Sequence, residues 1–192
     1  MVLTHLTPAD YVTTTWSGGT TTQLAIAPKG ALYAERDFLW RVSSATVELD
    51  ESDFTALPDY RRFISTVRGD MTLSHHGGDE LTLRPGDIHA FDGGDDTHSR
   101  GRCTDFNLML RKGRAEGDMR SLRPAAGSSV FTPDERARTV LLFCAQGACE
   151  VRCGAQLCRV GAGEAAIAEA LSGDALSLDC GADTLLMLAQ MW

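Results

Sequence analysis

An internal repeat constrains the fold more than any other feature of the sequence. The copy that starts at residue 62 reads RFISTVRGDMTL, then a Gly-rich turn, then ELTLRPGDIHAF. The copy that starts at residue 139 reads TVLLFCAQGACEV, a short turn, then QLCRVGAGEAAI. In both, a strand pattern runs into a glycine, and a Gly-acid pair follows at nearly the same interval; these residues are Gly69, Gly86, Asp87, Gly147, Gly163 and Glu164. Such self-similarity predicts two copies of one small structural unit.

Within and around the repeat, apolar and polar residues alternate with a step of two, as from Arg41 to Val47 and from Leu81 to Leu83, and Gly and Pro pairs separate these segments. No segment shows a long, capped 3.6-residue period. The chain is therefore predicted to be all-β, with one β-barrel over residues 1–112 and a second over residues 130–192. Residues 113–129 are rich in Gly, Arg, Ala and Ser and are predicted to form the connector.

The repeated unit resembles the cupin signature, and its duplication resembles a bicupin, a chain with two jelly-roll barrels. In metal-binding cupins the unit carries two His and a Glu before its first glycine and a further His after the second. Here Arg62 stands at the glutamate position, Thr97 stands at the last histidine position, and residues 56–58 are Ala, Leu and Pro. In the second copy the matching positions are Val140 and Asp174. The resemblance therefore implies no metal site and no cofactor, and a structural role for the second barrel.

Longer strings resemble one family within the cupins. These are WSGGTTTQ from residue 16, FLWRVSSA from 38, FTALPDYRR from 54, FDGG from 91 and DFNLM from 105. In this order and spacing they are similar to the HutD/Ves family of bacterial bicupins. The resemblance implies a cytoplasmic protein associated with histidine utilisation or stress response that binds a small acidic metabolite such as N-formylglutamate, without established catalytic activity. An acid often precedes the family's motif arginine, whereas this chain has Arg61 there.

Composition excludes some other classes. The net charge of -8 disfavours a nucleic-acid partner, which needs a clustered excess of Lys and Arg. No apolar run approaches the ~20 residues of a membrane helix, and the first residues do not resemble a signal peptide, so we expect a cytoplasmic protein without a membrane partner. The six cysteines match no zinc or redox spacing and are interpreted as reduced core residues.

Cupin barrels bind ligands inside, so inward-facing polar residues are the candidates for a site. If Ala45 and Val47 face inward, Arg41 and Ser43 share their face, and together with Arg62 they would give the cavity two guanidinium groups. Asp105 and Asn107 lie two apart on one strand and also share a face. The remaining ligand-binding candidates form a lid or rim and are Trp16, Thr21 and Thr22, with the choice among Thr20, Thr21 and Thr22 left open.

Several alternatives remain at this point. Arg41 is expected to form an internal salt bridge with Asp105, because buried charges are usually paired; alternatively, Asp105 caps a turn after Gly101. His75 and His76 are expected in an exposed hairpin turn without a metal role. His89 either fills a strand position or transfers protons.

The sequence leads to a non-catalytic protein that binds a small carboxylate through Arg62. The alternative is a metal-independent isomerase, lyase or hydrolase that acts on a small carboxylate through His89 or Asp105. A third possibility is a regulatory protein whose partner is another protein, recognised by a large exposed apolar patch. A homodimer is also considered, because β-barrel proteins often cover their edge strands by association.

Overall fold

The computed structural model describes residues 1–192 and consists almost entirely of strands. The strands are β1 Val2–Leu6, β2 Val12–Trp16, β3 Gly19–Ala27, β4 Trp40–Val47, β5 Glu51–Asp53, β6 Tyr60–Arg68, β7 Met71–His75, β8 Leu81–Leu83, β9 Ile88–Asp92, β10 Thr97–Arg100, β11 Cys103–Arg111, β12 Gly117–Leu122, β13 Gly127–Phe131, β14 Thr139–Gln146, β15 Ala148–Cys153, β16 Gln156–Gly161, β17 Ala165–Glu169, β18 Leu176–Cys180 and β19 Leu185–Met191. Two short 3-10 helices, Pro8–Asp10 and Tyr33–Glu35, complete the regular structure. None of its helices is long and apolar enough to span a bilayer.

The chain divides into two compact units, each built from two antiparallel sheets. The first unit, Val12–Glu116, has a six-stranded sheet in the order β2-β3-β4-β11-β6-β9 and a four-stranded sheet in the order β5-β10-β7-β8. The second unit contains a five-stranded sheet, β1-β17-β14-β19-β12, and a four-stranded sheet, β13-β18-β15-β16. The all-β, two-barrel architecture predicted from the repeat is confirmed.

The boundaries of the two units differ from those predicted. Residues Met1–Tyr11 belong to the second unit, because β1 pairs along its length with β17, from Val2 opposite Glu169 to Leu6 opposite Ala165. The segment predicted as a connector holds β12 and the start of β13, and β12 pairs with β19. Few apolar residues in 113–129 suggested a linker, but backbone pairing at a sheet edge needs little side-chain burial.

The first glycine of each repeat occupies a position that only glycine fits well. Gly69 and Gly147 have φ values of +75° and +80°. A Cβ at Gly69 would lie 2.7 Å from the carbonyl oxygen of Arg102, and one at Gly147 would lie 2.7 Å from Oγ1 of Thr184. The repeat in the sequence therefore reflects a tight strand connection with the same backbone requirement in both units.

The second unit is filled by a continuous apolar cluster, whereas polar and charged side chains occupy part of the first unit's interior. The second cluster includes five buried cysteines, Cys144, Cys149, Cys153, Cys158 and Cys180, and Cys103 is buried in the first unit. In the first unit, buried polar side chains on three adjacent strands interrupt the core; they are Arg41, Ser43, Arg62, Asp105 and Asn107. Burying charged side chains inside a barrel costs free energy unless they are paired, so a partly polar interior indicates either internal ion pairs or a site for a ligand.

Candidate functional site: a cationic pocket in the first unit

A cavity of about 340 Å³ lies within the first unit. Strands β2, β3, β4, β5, β6 and β11 contribute to its wall, together with Tyr33 of the second 3-10 helix. Seven of the eight predicted ligand-binding residues line it, namely Trp16, Thr21, Arg41, Ser43, Arg62, Asp105 and Asn107. Its volume lies in the range of small-molecule sites.

Cross-strand register brings the charged residues together. Met109 on β11 is opposite Arg41 on β4 on one side and opposite Arg62 on β6 on the other, so these three residues form one row across the sheet. In the next row Asn107 is opposite Ser43. Directly opposed residues project from the same face of a sheet, so both arginines point into the barrel.

Arg62 is buried and carries an unsatisfied donor. One of its terminal nitrogens, Nη2, donates to Oδ1 of Asn107 at 3.1 Å, while its Nε is buried without a hydrogen-bond partner. Its guanidinium carbon lies 4.8 Å from the ring centre of Phe54 and 5.2 Å from that of Phe91, distances at which an aromatic face attracts a cation. Phe91 is its register partner on β9. Aromatic faces position the group without neutralising its charge.

Arg41 does not form the salt bridge that was expected from the sequence. Its Nε donates to Oε1 of Gln23 at 2.8 Å, its Nη1 donates to Oγ of Ser43 at 3.1 Å, and its guanidinium carbon lies 4.4 Å from the ring centre of Tyr33. All three are neutral groups. An irregularity in β3 between Gln23 and Ala25 shifts the register there. Arg41 is therefore satisfied without an anion from the protein.

Asp105 is bound by neutral donors instead of by an arginine. Its Oδ1 accepts from Nδ2 of Asn107 at 2.9 Å and from the backbone N–H of Ala45 at 3.0 Å. Asp105 lies within β11 and faces the interior, so the alternative in which it caps a turn after Gly101 is wrong. Burial raises the pKa of its carboxyl group to about 6, although the two hydrogen bonds and both arginines oppose the shift.

The pocket thus buries two guanidinium groups and one carboxyl group, that of Asp105. A second carboxylate, Asp53, lines the exposed edge of the pocket, where its Oδ1 lies 2.7 Å from Nδ1 of His98. Burial lowers the pKa of Arg62 to about 10 and also lowers that of Arg41, and both groups remain charged near neutral pH. No carboxylate of the protein forms an ion pair with either arginine. Even with Asp105 ionised, the buried side chains of the pocket keep an excess positive charge, and an anion with hydrogen-bond acceptors would balance it.

The threonines on β3 are sorted by the alternation of the strand. Thr21 lies in one row with Thr14 and Ala45 and lines the cavity. Thr22 is opposite Thr13 on the other face of the sheet, where the two hydroxyl oxygens are 3.0 Å apart. Thr22 therefore does not line the pocket, contrary to the prediction. Trp16 lines the cavity while 38% exposed, which places it at the rim as expected.

Sequence reasoning missed part of the wall. Tyr33, in the 3-10 helix between β3 and β4, lines the pocket beside the predicted residues. So do the residues from Ser52 to Thr55, at the end of β5. Phe54 belongs to one of the family-like strings and could have been proposed from it. Tyr33 lies in a loop without strand periodicity, and no pattern in the sequence places its ring over Arg41.

The histidines are arranged differently from the expectation. His75 is the last residue of β7 and is half-buried, whereas His76, in the turn that follows, is exposed as predicted. His89 on β9 is directly opposite Ile64 on β6, so the two side chains are on the same face of the sheet, but His89 does not line the cavity. Its Nε2 lies 2.8 Å from Nε2 of His75. Of the two groups considered for acid–base chemistry, only Asp105 is therefore in the pocket.

No group of three or more His, Cys, Asp or Glu side chains is arranged to hold a metal ion. At the positions where metal-binding cupins carry a glutamate and the last histidine, Arg62 and Thr97 are buried. A guanidinium has no lone pair for a metal and repels it. The donor set at the centre of this barrel suits an anion.

Two antiparallel sheets per unit, the duplicated glycine turns and a binding cavity inside the first barrel define a protein of the bicupin class. Solved structures agree: YhhW from Escherichia coli aligns with a TM-score of 0.71 at 9% identity over 98% of this chain and 97% of its own, which shows the fold alone. The HutD family model matches residues 8–187, so the chain belongs to the HutD family.

Two solved structures of closer similarity cover nearly the whole of both chains. A conserved protein of unknown function from Pseudomonas aeruginosa PAO1, PA5104, is 26% identical with a TM-score of 0.85, and the alignment covers 100% of this chain and 99% of that one. HutD from Pseudomonas fluorescens SBW25, in a structure described as a formate condition, is 24% identical with a TM-score of 0.76, and covers 98% and 99%. No curated protein matches the chain.

Proposed function

We propose that this protein is a non-catalytic binding protein for a small carboxylate, which it holds in the first barrel with Arg62 as the principal anchor. The observation that carries the proposal is the guanidinium of Arg62, which lines the pocket while buried, has no carboxylate partner and keeps its Nε without a hydrogen-bond partner. A buried donor without a partner costs on the order of 1–3 kcal/mol, more when it is charged. An anion that accepts from this group would recover that free energy on binding.

The wall of the pocket supports a small ligand that has both carboxylate and apolar parts. The hydrogen-bonding side chains of the pocket lie on adjacent strands and are Arg41, Ser43, Arg62 and Asn107. Aromatic side chains add apolar surface to the same cavity, and these are Trp16, Tyr33 and Phe54. A guanidinium fork matches a carboxylate in two parallel hydrogen bonds. An acyl amino acid such as N-formylglutamate combines carboxylates with a compact apolar stem, and formate is the smallest member of the class.

Family membership supports a role in histidine utilisation or a stress response, exerted in the cytoplasm through ligand binding. In this role the protein would sense or sequester the carboxylate and pass the signal to another component. The ligand partner is then a small molecule, with neither nucleic acid nor membrane involved. A homodimer stays a prediction, checked by sedimentation.

Calorimetric titration with formate, glutamate and N-formylglutamate tests the proposal. We expect saturable binding of at least one of them to the purified protein, and a loss of affinity in Arg62→Met. The matched control is Arg61→Met, because Arg61 is the exposed neighbour on the same strand, with its guanidinium over Phe63 on the other face. No detectable heat up to millimolar concentrations of all three ligands contradicts the proposal.

The second candidate function is a metal-independent enzyme, and one observation favours it. Asp105 faces the pocket and its pKa is raised to about 6 by burial, close to the range in which a general acid or base works. Proton NMR of N-formylglutamate incubated with the protein distinguishes the two functions. Turnover that disappears in Asp105→Asn supports the enzyme, and an unchanged spectrum supports binding alone.

A further inference from the structure

Two histidines from different sheets of the first unit meet in its interior. His75 ends β7 in the four-stranded sheet, and His89 lies on β9 in the six-stranded sheet. Their Nε2 atoms are 2.8 Å apart, and both residues are half-buried. Neither residue belongs to the carboxylate pocket.

Phe91 fixes the orientation of both rings. The ring of His89 is stacked on it, with centroids 5.7 Å apart and an interplanar angle of 9°, and the ring of His75 lies against it at 5.1 Å. The two imidazoles are themselves 5.1 Å apart at 28°. Rings held in this way lose little rotational freedom when they bind a common partner.

The hydroxyl of Thr97 lies between two groups, the carbonyl oxygen of Asp95 at 3.2 Å and Nδ1 of His75 at 2.9 Å. We assign the hydroxyl proton to the carbonyl oxygen, which can only accept, so that Thr97 Oγ1 accepts from Nδ1 of His75. Neutral His75 therefore has its proton on Nδ1 and a lone pair on Nε2. That lone pair faces His89, whose Nε2–H donates to it.

His75 has the arrangement that metal-binding histidines use. One ring nitrogen donates to a fixed oxygen of the protein, which sets the tautomer and the ring angle, and the other nitrogen is free to bind the ion.

We propose that Nε2 of His75 and Nε2 of His89 form a two-histidine site for a divalent transition-metal ion such as Zn²⁺. Binding moves the ring proton of His89 from Nε2 to Nδ1 and releases no proton. Bond lengths of about 2.0–2.1 Å to zinc place two ligand nitrogens roughly 3.0–3.4 Å apart, so the nitrogens separate by only a few tenths of an ångström. The two nitrogens point at each other in the metal-free protein, so each ring must also tilt to direct its lone pair at the shared ion. Water or an exogenous ligand completes the coordination.

The site differs from the metal centre of other cupins in its residues. His75 and His89 occupy none of the ligand positions of the cupin signature, where this chain has Arg62 and Thr97. Thr97 instead holds His75 through its hydroxyl. The exposed His76 is bonded to the carboxylate of Asp95 at 3.0 Å and lies outside the pair. The expectation that His75 has no metal role came from its neighbour in sequence, but its partner in space is His89.

Nitrogen-15 NMR of the histidine rings in the full-length protein tests the proposal, with Zn²⁺ as the probe. Before addition, His75 should show the Nδ1–H tautomer. One equivalent of Zn²⁺ should then shift the Nε2 resonances of both His75 and His89, and calorimetry should give a 1:1 stoichiometry. His75→Gln and His89→Gln should each abolish this binding, and Thr97→Val should weaken it roughly 10- to 100-fold.

His98→Gln is the control, since His98 lies on β10 beside Asp53 and Glu51 in an exposed cluster that could also attract zinc. Circular dichroism and thermal melting confirm that each variant folds. Three outcomes overturn the proposal: Zn²⁺ shifts at His5, His76 or His98 only, no shift in excess Zn²⁺, or an Nε2–H tautomer for His75 in the metal-free protein.

Discussion

The guanidinium of Arg62 is bonded to the amide oxygen of Asn107, 3.1 Å away. The amide nitrogen of Asn107 in turn donates to Asp105, so the amide stands between the cation and the carboxyl group. A direct ion pair would have neutralised Arg62 within the fold. Because the neutral amide of Asn107 lies between them, Arg62 keeps a positive charge that a ligand can neutralise.

Replacing Arg62 with Met should weaken carboxylate binding roughly 10- to 100-fold, the value of charge-assisted hydrogen bonds. Its effect on stability is the sharper test. Truncating a buried, ion-paired arginine typically costs about 3–5 kcal/mol, whereas Arg62 has no carboxylate partner, so we expect the free energy of unfolding to fall by no more than about 1 kcal/mol. Urea denaturation without ligand measures it. A loss above about 3 kcal/mol means that an internal anion pairs with Arg62.

The stability of the protein should depend on the ionisation of Asp105. Its pKa is raised from 3.8 to about 6 in the folded protein, so between these values the folded state binds more protons than the unfolded state, and stability falls as pH rises. Relative to Asp105→Asn, the wild type should therefore lose on the order of 2–3 kcal/mol between pH 4 and pH 7.

Parallel denaturation series of the two proteins at each pH give this difference directly, because carboxylates with lowered pKa values, such as that of Asp134, contribute equally to both. A constant difference across the range shows that Asp105 titrates normally and contradicts the prediction.

The two faces of β3 should respond differently to the same substitution. Thr21→Val removes a hydroxyl group from the pocket wall, and we expect a roughly 3- to 10-fold loss of carboxylate affinity, the worth of one hydrogen bond. Thr22→Val changes the opposite face and should leave affinity unchanged. A loss of affinity in Thr22→Val but not in Thr21→Val would show that β3 is shifted by one residue relative to the structure, and equal effects in calorimetry would contradict the prediction.

The repeat glycines should be sensitive to alanine. Gly69→Ala places a methyl group 2.7 Å from a backbone oxygen at φ +75°, and should lower the free energy of unfolding by about 2–3 kcal/mol. Gly161→Ala is the control, since its φ is not in the left-handed region and the nearest atom to the new methyl is 3.7 Å away. Thermal melting compares the stabilities of the two variants. If Gly69→Ala is as stable as Gly161→Ala, the prediction is wrong.

Periodicity and repetition in the sequence were sufficient for the class of fold and for most of the pocket. Residues two apart on a strand share a face whatever the tertiary context, so alternation alone pairs Arg41 with Ser43 and Asp105 with Asn107. The family-like strings then place Arg62 at the centre of the barrel. Thr22 was wrongly included because three successive threonines give no indication of which one faces inward.

The sequence by itself determined the duplicated β-barrel, the family, and the replacement of metal ligands by Arg62, because these follow from alternation and from motif positions along the chain. Only the tertiary structure decided that Asn107 separates Arg62 from Asp105, that β1 pairs with β17, and that His75 meets His89. These contacts depend on the register between strands and on which sheets face each other. Pairings between distant segments arise from packing of the whole barrel, and no local pattern encodes them.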